Sequence, residues 1–168
     1  MEAPDIFARL EKHFPGKVSD FRGEIPEPCC LVSAPAIVDV CRFLRDDAGV
    51  KFEVLSDLTA LDWPKEEKIQ VVYHLYSYPN KHQIVLKVDL PRENPRIATV
   101  EEIWKVANWF EREVFDLFGV IFEGHSDLRR IMLPEDWVGY PLRKDYVEQE
   151  EYDGMSTQRA PLVEKLLR

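Results

Sequence analysis

Residues 68–90 read Lys-Ile-Gln-Val-Val-Tyr-His-Leu-Tyr-Ser-Tyr-Pro-Asn-Lys-His-Gln-Ile-Val-Leu-Lys-Val-Asp-Leu, and this stretch decides the fold class. Within 68–78, Ile69, Val71, Tyr73 and Leu75 alternate with Gln70, Val72, His74 and Tyr76. Within 83–90, Ile84, Leu86 and Val88 alternate with Val85, Lys87 and Asp89. Side chains on a strand point to opposite faces in turn, so each run has one apolar and one more polar face. Pro79-Asn80 lies between them as hairpin punctuation, with Asn80 suited to a left-handed conformation. The pattern predicts an antiparallel sheet with one side covered. A less regular strand precedes the pair, from Lys51 through Phe52, Val54 and Leu58 to Trp63.

Working outward, the cover is helical. Ile6, Phe7 and Leu10 recur at helical spacing in 4–13, before the Pro15-Gly16 stop. Residues 28–33 read as a short buried strand, after which Ser33 is an N-cap candidate and Pro35 falls in the first turn of a helix ending near Gly49. Its buried face is Ile37, Val40, Cys41 and Leu44. Downstream, Thr99 with Glu102 makes a capping box for a further helix. Its stripe is Ile103, Ala107, Phe110, Val114 and Leu117, and Gly119 closes it. The expected class is α+β, a mostly antiparallel sheet covered on one face by helices and followed by a long irregular C-terminal strap.

That strap is 120–146, where no period persists and prolines and glycines interleave with Arg129-Arg130 and Arg143-Lys144. A stretch this long without regular structure is uncommon in a compact domain unless it has a task. Leu128, Ile131, Met132, Leu133 and Trp137 argue that it is ordered and packs on something. The domain is expected to span 1–146, with an acidic tail at 147–168 holding a short amphipathic segment at 161–167.

The chain has 168 residues, of which 45% are apolar, and a net charge of −9. A chain of this length buries roughly 70% of its unfolded surface and needs no metal or disulfide to fold. The negative charge argues against nonspecific binding to nucleic acid or anionic lipid. No apolar run approaches membrane-spanning length and no leader pattern opens the chain, so a soluble protein is expected. The cysteines are Cys29, Cys30 and Cys41, an odd count that makes no disulfide framework. Adjacent Cys29 and Cys30 would point to opposite faces of a strand, and a cluster wants about four thiolates. Reduced, buried cysteines in a reducing compartment are the expectation.

Three polar groups invite chemical readings. Glu111, Glu113 and Asp116 resemble paired carboxylates, but positions 111 and 113 point apart on a helix, which favours a solvated or interface-facing stripe with Arg112–Asp116 as an i, i+4 pair. Glu123, His125 and Asp127 alternate as zinc ligands could, although a histidine hydrogen-bonded to a carboxylate is commoner. Arg129, Arg130, Arg143 and Lys144 suit bidentate pairing with carboxylates, either Asp127, Asp136 or Asp145 within the chain or those of another chain. There is no phosphate-cradling G-x-x-x-x-G-K or G-x-G-x-x-G. No self-contained active site is expected.

At this point a resemblance enters. Glu111-Arg112-Glu113-Val114-Phe115-Asp116-Leu117-Phe118-Gly119, then His125, then Asp127-Leu128-Arg129-Arg130-Ile131, resembles the signature of the 30-kilodalton subunit family of respiratory complex I, whose bacterial members are the C subunit of NADH-quinone oxidoreductase. Leu133-Pro134-Glu135-Asp136-Trp137, Gly139, and Pro141-Leu142-Arg143-Lys144-Asp145-Tyr146 continue it, and Ala107-Asn108-Trp109 and Val72-Tyr73-His74-Leu75 agree. Ser126 and Val147 stand where the family usually carries proline. The resemblance implies a non-redox scaffolding subunit, peripheral on the cytoplasmic side of the cell membrane, docked on the larger 49-kilodalton-type (D) subunit. It implies no flavin, iron–sulfur cluster or quinone site in this chain, the flavin mononucleotide, clusters and quinone belonging to the assembled complex. The implied partner surface is Glu111, Arg112, Glu113, Asp116, His125, Asp127, Arg129, Arg130, Asp136, Trp137, Arg143, Lys144, Asp145 and Tyr146. Two alternatives stand beside it: the equivalent subunit of a membrane-bound hydrogenase or related complex with another donor, and a stand-alone metal-assisted hydrolase using Glu123, His125 and Asp127.

Overall fold

In the computed structural model, which describes residues 2–157, the alternation of 68–90 becomes the central hairpin of a five-stranded sheet. Strands β1 (Val18–Arg22), β2 (Cys29–Val32), β3 (Val54–Trp63), β4 (Lys68–Ser77) and β5 (His82–Pro91) are ordered β1-β2-β5-β4-β3. The hairpin pairs Ile69 with Leu90 and Ser77 with His82, so each apolar file lies on one face of both strands. Helices α1 (Ala3–His13), α2 (Ile37–Asp46) and α3 (Ala107–Phe118) bury Ile6, Leu10, Ile37, Val40, Cys41, Leu44, Ala107 and Val114 against that face, together with Tyr73 and Leu86 of the sheet. The expected class is therefore observed. Cys29 and Cys30 do point to opposite faces: Cys30 joins the main core and Cys29 packs with Val72 and Val85 on the other. That second face carries an open groove of about 600 Å³ lined by residues such as Ile25, Leu61, His74 and Val85.

Some local expectations are corrected. The capping box at Thr99 does not start a helix; 101–105 form turns and α3 begins only at Ala107. The reason is tertiary: the Thr99 hydroxyl donates to Glu111, and the Val100 N–H donates to Glu111 Oε1 at 2.8 Å, so a carboxylate from α3 replaces the local cap. On α3 the stripe is only partly the core. Phe110 and Leu117 are half-buried, whereas Glu111, Arg112 and Asp116 are buried. In the hairpin turn the left-handed residue is Lys81 (φ 51°), not Asn80, which instead donates to the Val50 carbonyl.

Two pairings are invisible to period-2 reading. Strand β1 buries only Val18, bends at Asp20 (φ 49°) and shifts register, so its sequence has no alternation to follow. Strand β2 runs parallel to β5, an association that only long-range packing can make. A further parallel pair, β6 (Arg96–Ala98) with β7 (Ile121–Glu123), fixes the start of the strap beside the domain. Near its end, β8 (Glu151–Tyr152) and β9 (Met155–Ser156) form a small hairpin. The amphipathic segment expected at 161–167 lies outside the described residues.

Candidate functional site

The polar residues singled out by sequence gather along α3 and the strap that crosses it, at three fastening points. The first is where the strap begins. Glu101 accepts hydrogen bonds from Asn108 Nδ2 (2.7 Å), Ser126 N (2.7 Å) and Ser126 Oγ (3.1 Å). Ser126 thus uses a backbone N–H that a proline would not have. The His125 side chain is fully buried; the Asp127 N–H donates to Nδ1 (3.0 Å), which places the ring proton on Nε2, facing the Asn108 carbonyl at 3.1 Å. Burial works to raise the Glu101 carboxyl, but the donors of Asn108 and Ser126 outweigh it and hold it below its ordinary value.

The second point is Asp116, buried in the last turn of α3. Its Oδ2 accepts three successive strap N–H groups, from Ile131 (3.0 Å), Met132 (2.7 Å) and Leu133 (3.0 Å). Its Oδ1 takes Arg130 Nη1 at 2.6 Å, and Arg130 Nη2 goes on to the carbonyls of Trp137 and Gly139. Burial opposes ionisation here too, but Arg130 and the three amides prevail and the carboxyl lies below its usual range.

At the third point the strap returns to the sheet edge. Arg143 Nε donates to the Phe118 carbonyl at 2.6 Å and the Leu142 N–H to that of Leu117. Tyr140 packs over Gly119, with the guanidinium groups of Arg130 and Arg143 over its ring. Asp62 on β3 accepts both Arg92 and the Lys144 N–H, and Arg92 also binds Asp145. The Arg92 fork is the main reason that the Asp62 carboxyl is held low.

These placements settle several of the expected roles. Arg112 does not pair with Asp116; its Nε donates to the Arg129 carbonyl, and its guanidinium lies 3.8 Å from Asp127 and over the Trp109 ring. Glu111, Arg112 and Asp116 are buried in their own domain, and of the α3 carboxylates only Glu113 faces outward. Arg130 finds its partner within the chain at Asp116, which was not among the carboxylates considered. Arg129 pairs with Asp127 on the surface. Trp137 Nε1 donates to the Tyr146 hydroxyl, and Asp136 accepts from Tyr152, so the tail hairpin leans on the strap. Glu123, His125 and Asp127 do not converge: Glu123 turns to Arg96, His125 to Asn108 and Asp127 to Arg129, and among the described residues no three metal-ligating groups meet. Sequence reading missed the parts that Asp62, Arg92, Thr99, Glu101 and Asn108 play in these fastenings. Asp62 carried one signal, a carboxylate set between Leu61 and Trp63, Thr99 was read only as a helix cap and Asn108 only as part of the resemblance; Arg92 and Glu101 have no local mark.

The comparisons with known proteins bear on this arrangement. Residues 30–152 match the family described as respiratory-chain NADH dehydrogenase, 30 Kd subunit. The chain belongs to this family. Among curated relatives, the C subunit of NADH-quinone oxidoreductase from Roseiflexus castenholzii is 44% identical over 149 residues, covering 86% of this chain and 84% of that one. The same-named protein of Geobacter sulfurreducens is 43% identical over 155 residues, covering 87% and 93%. Among solved structures, a chain of the membrane-bound sulfane sulfur reductase, an archaeal respiratory membrane complex, matches with a TM-score of 0.74 at 30% identity, covering 86% of this chain and 85% of that chain. The trypsin-resistant fragment (1-134) of Nqo5 matches with a TM-score of 0.60 at 29% identity, covering 76% of this chain and all of the fragment. All three fastening points of this 30-kilodalton-subunit member lie within the matched residues. Among its described residues no helix is long and apolar enough to cross a membrane.

Proposed function

We propose that this chain is a non-redox structural subunit of the peripheral arm of an NADH-quinone oxidoreductase and that it docks on the 49-kilodalton-type (D) subunit through its strap. In this reading it has no catalytic centre and holds no flavin, cluster or quinone, and it sits on the cytoplasmic side of the membrane only through the complex. One observation carries the reading. Large apolar side chains stand exposed on the strap and on the part of α3 beside it, Trp109 at 60%, Met132 at 63%, Val138 at 64% and Leu142 at 48%, on a backbone already fastened at three points. Apolar area held in a fixed conformation binds without further ordering cost, which suits a permanent contact between subunits. The likeness to a sulfane sulfur reductase chain favours a second reading, the equivalent subunit of a related respiratory complex with another donor.

Co-purification from the native host tests both. The expected outcome is recovery of the 49-kilodalton-type chain together with NADH-oxidising subunits; a different set of electron-donor subunits would support the second reading. Trp109→Ala combined with Met132→Ala should leave the fold intact by circular dichroism and reduce partner recovery at least tenfold. Arg129→Ala, on an exposed pair, should matter only if its guanidinium reaches a partner carboxylate, and Arg129→Lys would then rescue in part. Wild-type recovery from all of these variants would move the docking surface elsewhere. Stoichiometric iron or flavin in the isolated chain would overturn the non-redox assignment.

A further inference from the structure

Three ionisable side chains meet in the interior where the strap leaves the domain. His125 Nε2 lies 3.6 Å from Glu101 Oε2 and 3.9 Å from Glu111 Oε2, and the His125 and Glu111 side chains have no exposed surface. The histidine is not their counter-ion, because the Asp127 N–H aimed at Nδ1 is compatible only with a bare nitrogen there. The two carboxylates also have unequal surroundings. Glu101 collects donors from Asn108 and from both polar groups of Ser126, which favour its anion. Glu111 has the Thr99 hydroxyl and the Val100 N–H, and no lysine or arginine among the described residues pairs with it. Among the described residues, the other titratable groups facing it are Tyr73 of β4 and Cys41 of α2, both buried, and the Tyr73 hydroxyl has no hydrogen-bond partner there. Two close carboxylates in an interior without a cation cannot both carry charge cheaply.

We propose that Glu111, Glu101 and His125 form a proton-dependent clasp, in which a proton held on Glu111 keeps the root of the strap fastened to α3 and loss of that proton loosens it. Burial, with the charge of Glu101 added, pushes the Glu111 carboxyl up to about 7. A folded-state value raised above the ordinary one makes a contribution that is complete below about pH 4.5 and is lost as pH rises toward 7. The folded-to-unfolded ratio then falls by up to about tenfold per pH unit across that window. Thr99 can serve both states, since its hydroxyl donates to a carboxylate or accepts from a carboxyl. The clasp is independent of which partner the strap meets.

The test uses the full-length chain with carbon-13-labelled glutamate, followed by carboxyl NMR from pH 4 to 9, and amide exchange corrected for intrinsic rates. Glu111 should titrate near neutrality and Glu101 below pH 4.5. Exchange at residues 121–128 should quicken several-fold per pH unit across the Glu111 midpoint, while residues 68–90 stay protected. Glu111→Gln, which keeps the shape without the charge, should exchange slowly at 121–128 at every pH. Titration of Glu111 below pH 5, or strap-root exchange that ignores its midpoint or is unchanged in Glu111→Gln, would overturn the clasp. Should the glutamine variant not fold, the wild-type titration and exchange decide the matter alone.

Discussion

Asp116 organises more of the strap than any other single side chain. Four donors converge on its carboxylate, three of them consecutive backbone amides, so the strap from Arg130 to Leu133 is wrapped around one charge. Asp116→Asn would keep the shape, but one oxygen would become an NH2 group facing buried donors, and the partly buried Arg130 would be left without its anion. Removing one partner of a buried pair costs about 3–5 kcal/mol. Urea unfolding of the variant should show a loss of that size, with the β4–β5 hairpin still folded, and a loss below about 1 kcal/mol would mean that the strap has another anchor. Sequence alone placed Asp116 and Arg130 as charged residues of interest. It did not pair them, because a helix residue and a loop residue 14 positions away share no spacing rule.

At the scale of elements, helix α3 and the strap are joined through Gly119. This residue ends the helix at φ 77°, the left-handed region where a side chain costs roughly 1–2 kcal/mol. A Cβ there would also meet the Tyr140 ring at 2.5 Å. Tyr140 carries the guanidinium groups of Arg130 and Arg143 above its ring, so moving it disturbs two of the three fastening points. Gly119→Ala should therefore lose about 2–4 kcal/mol in thermal or urea unfolding and should raise amide exchange at 129–144. Unchanged exchange in that segment would show that Tyr140 does not couple helix end to strap. The start of α3 teaches the opposite lesson. The Thr99–Glu102 pattern is a valid local cap signal, yet Glu111, nine residues beyond the second of those positions, supplies acceptors that the local motif could not outbid.

For the molecule as a whole, the buried carboxylates set opposite limits on stability. Asp62, Asp116 and Glu101 are held below their ordinary values, so their contribution is present above the unfolded values and is lost as pH falls through the folded ones. Stability should thus fall below about pH 4 as the strap's anchors protonate. Asp62→Asn, which removes the shared acceptor of Arg92 and the Lys144 N–H, should be less stable at pH 7 and should show a shallower acid fall. Equal acid slopes in the variant and the wild type would assign the fall to other carboxylates.

The features legible before any folding are local and periodic. Alternation in 68–90 defined the hairpin and its buried face, i, i+3, i+4, i+7 spacing gave α2, and a glycine marked the end of α3, because each is a repulsion or burial preference acting within a few residues. The dense signature from Glu111 to Tyr146 identified the family through its polar residues. Long-range packing set the parallel β2–β5 pair, the late start of α3 and the destination of each buried charge. Those outcomes depend on which donors and acceptors long-range packing brings within about 3 Å in a low-dielectric interior, a distance that sequence spacing does not encode.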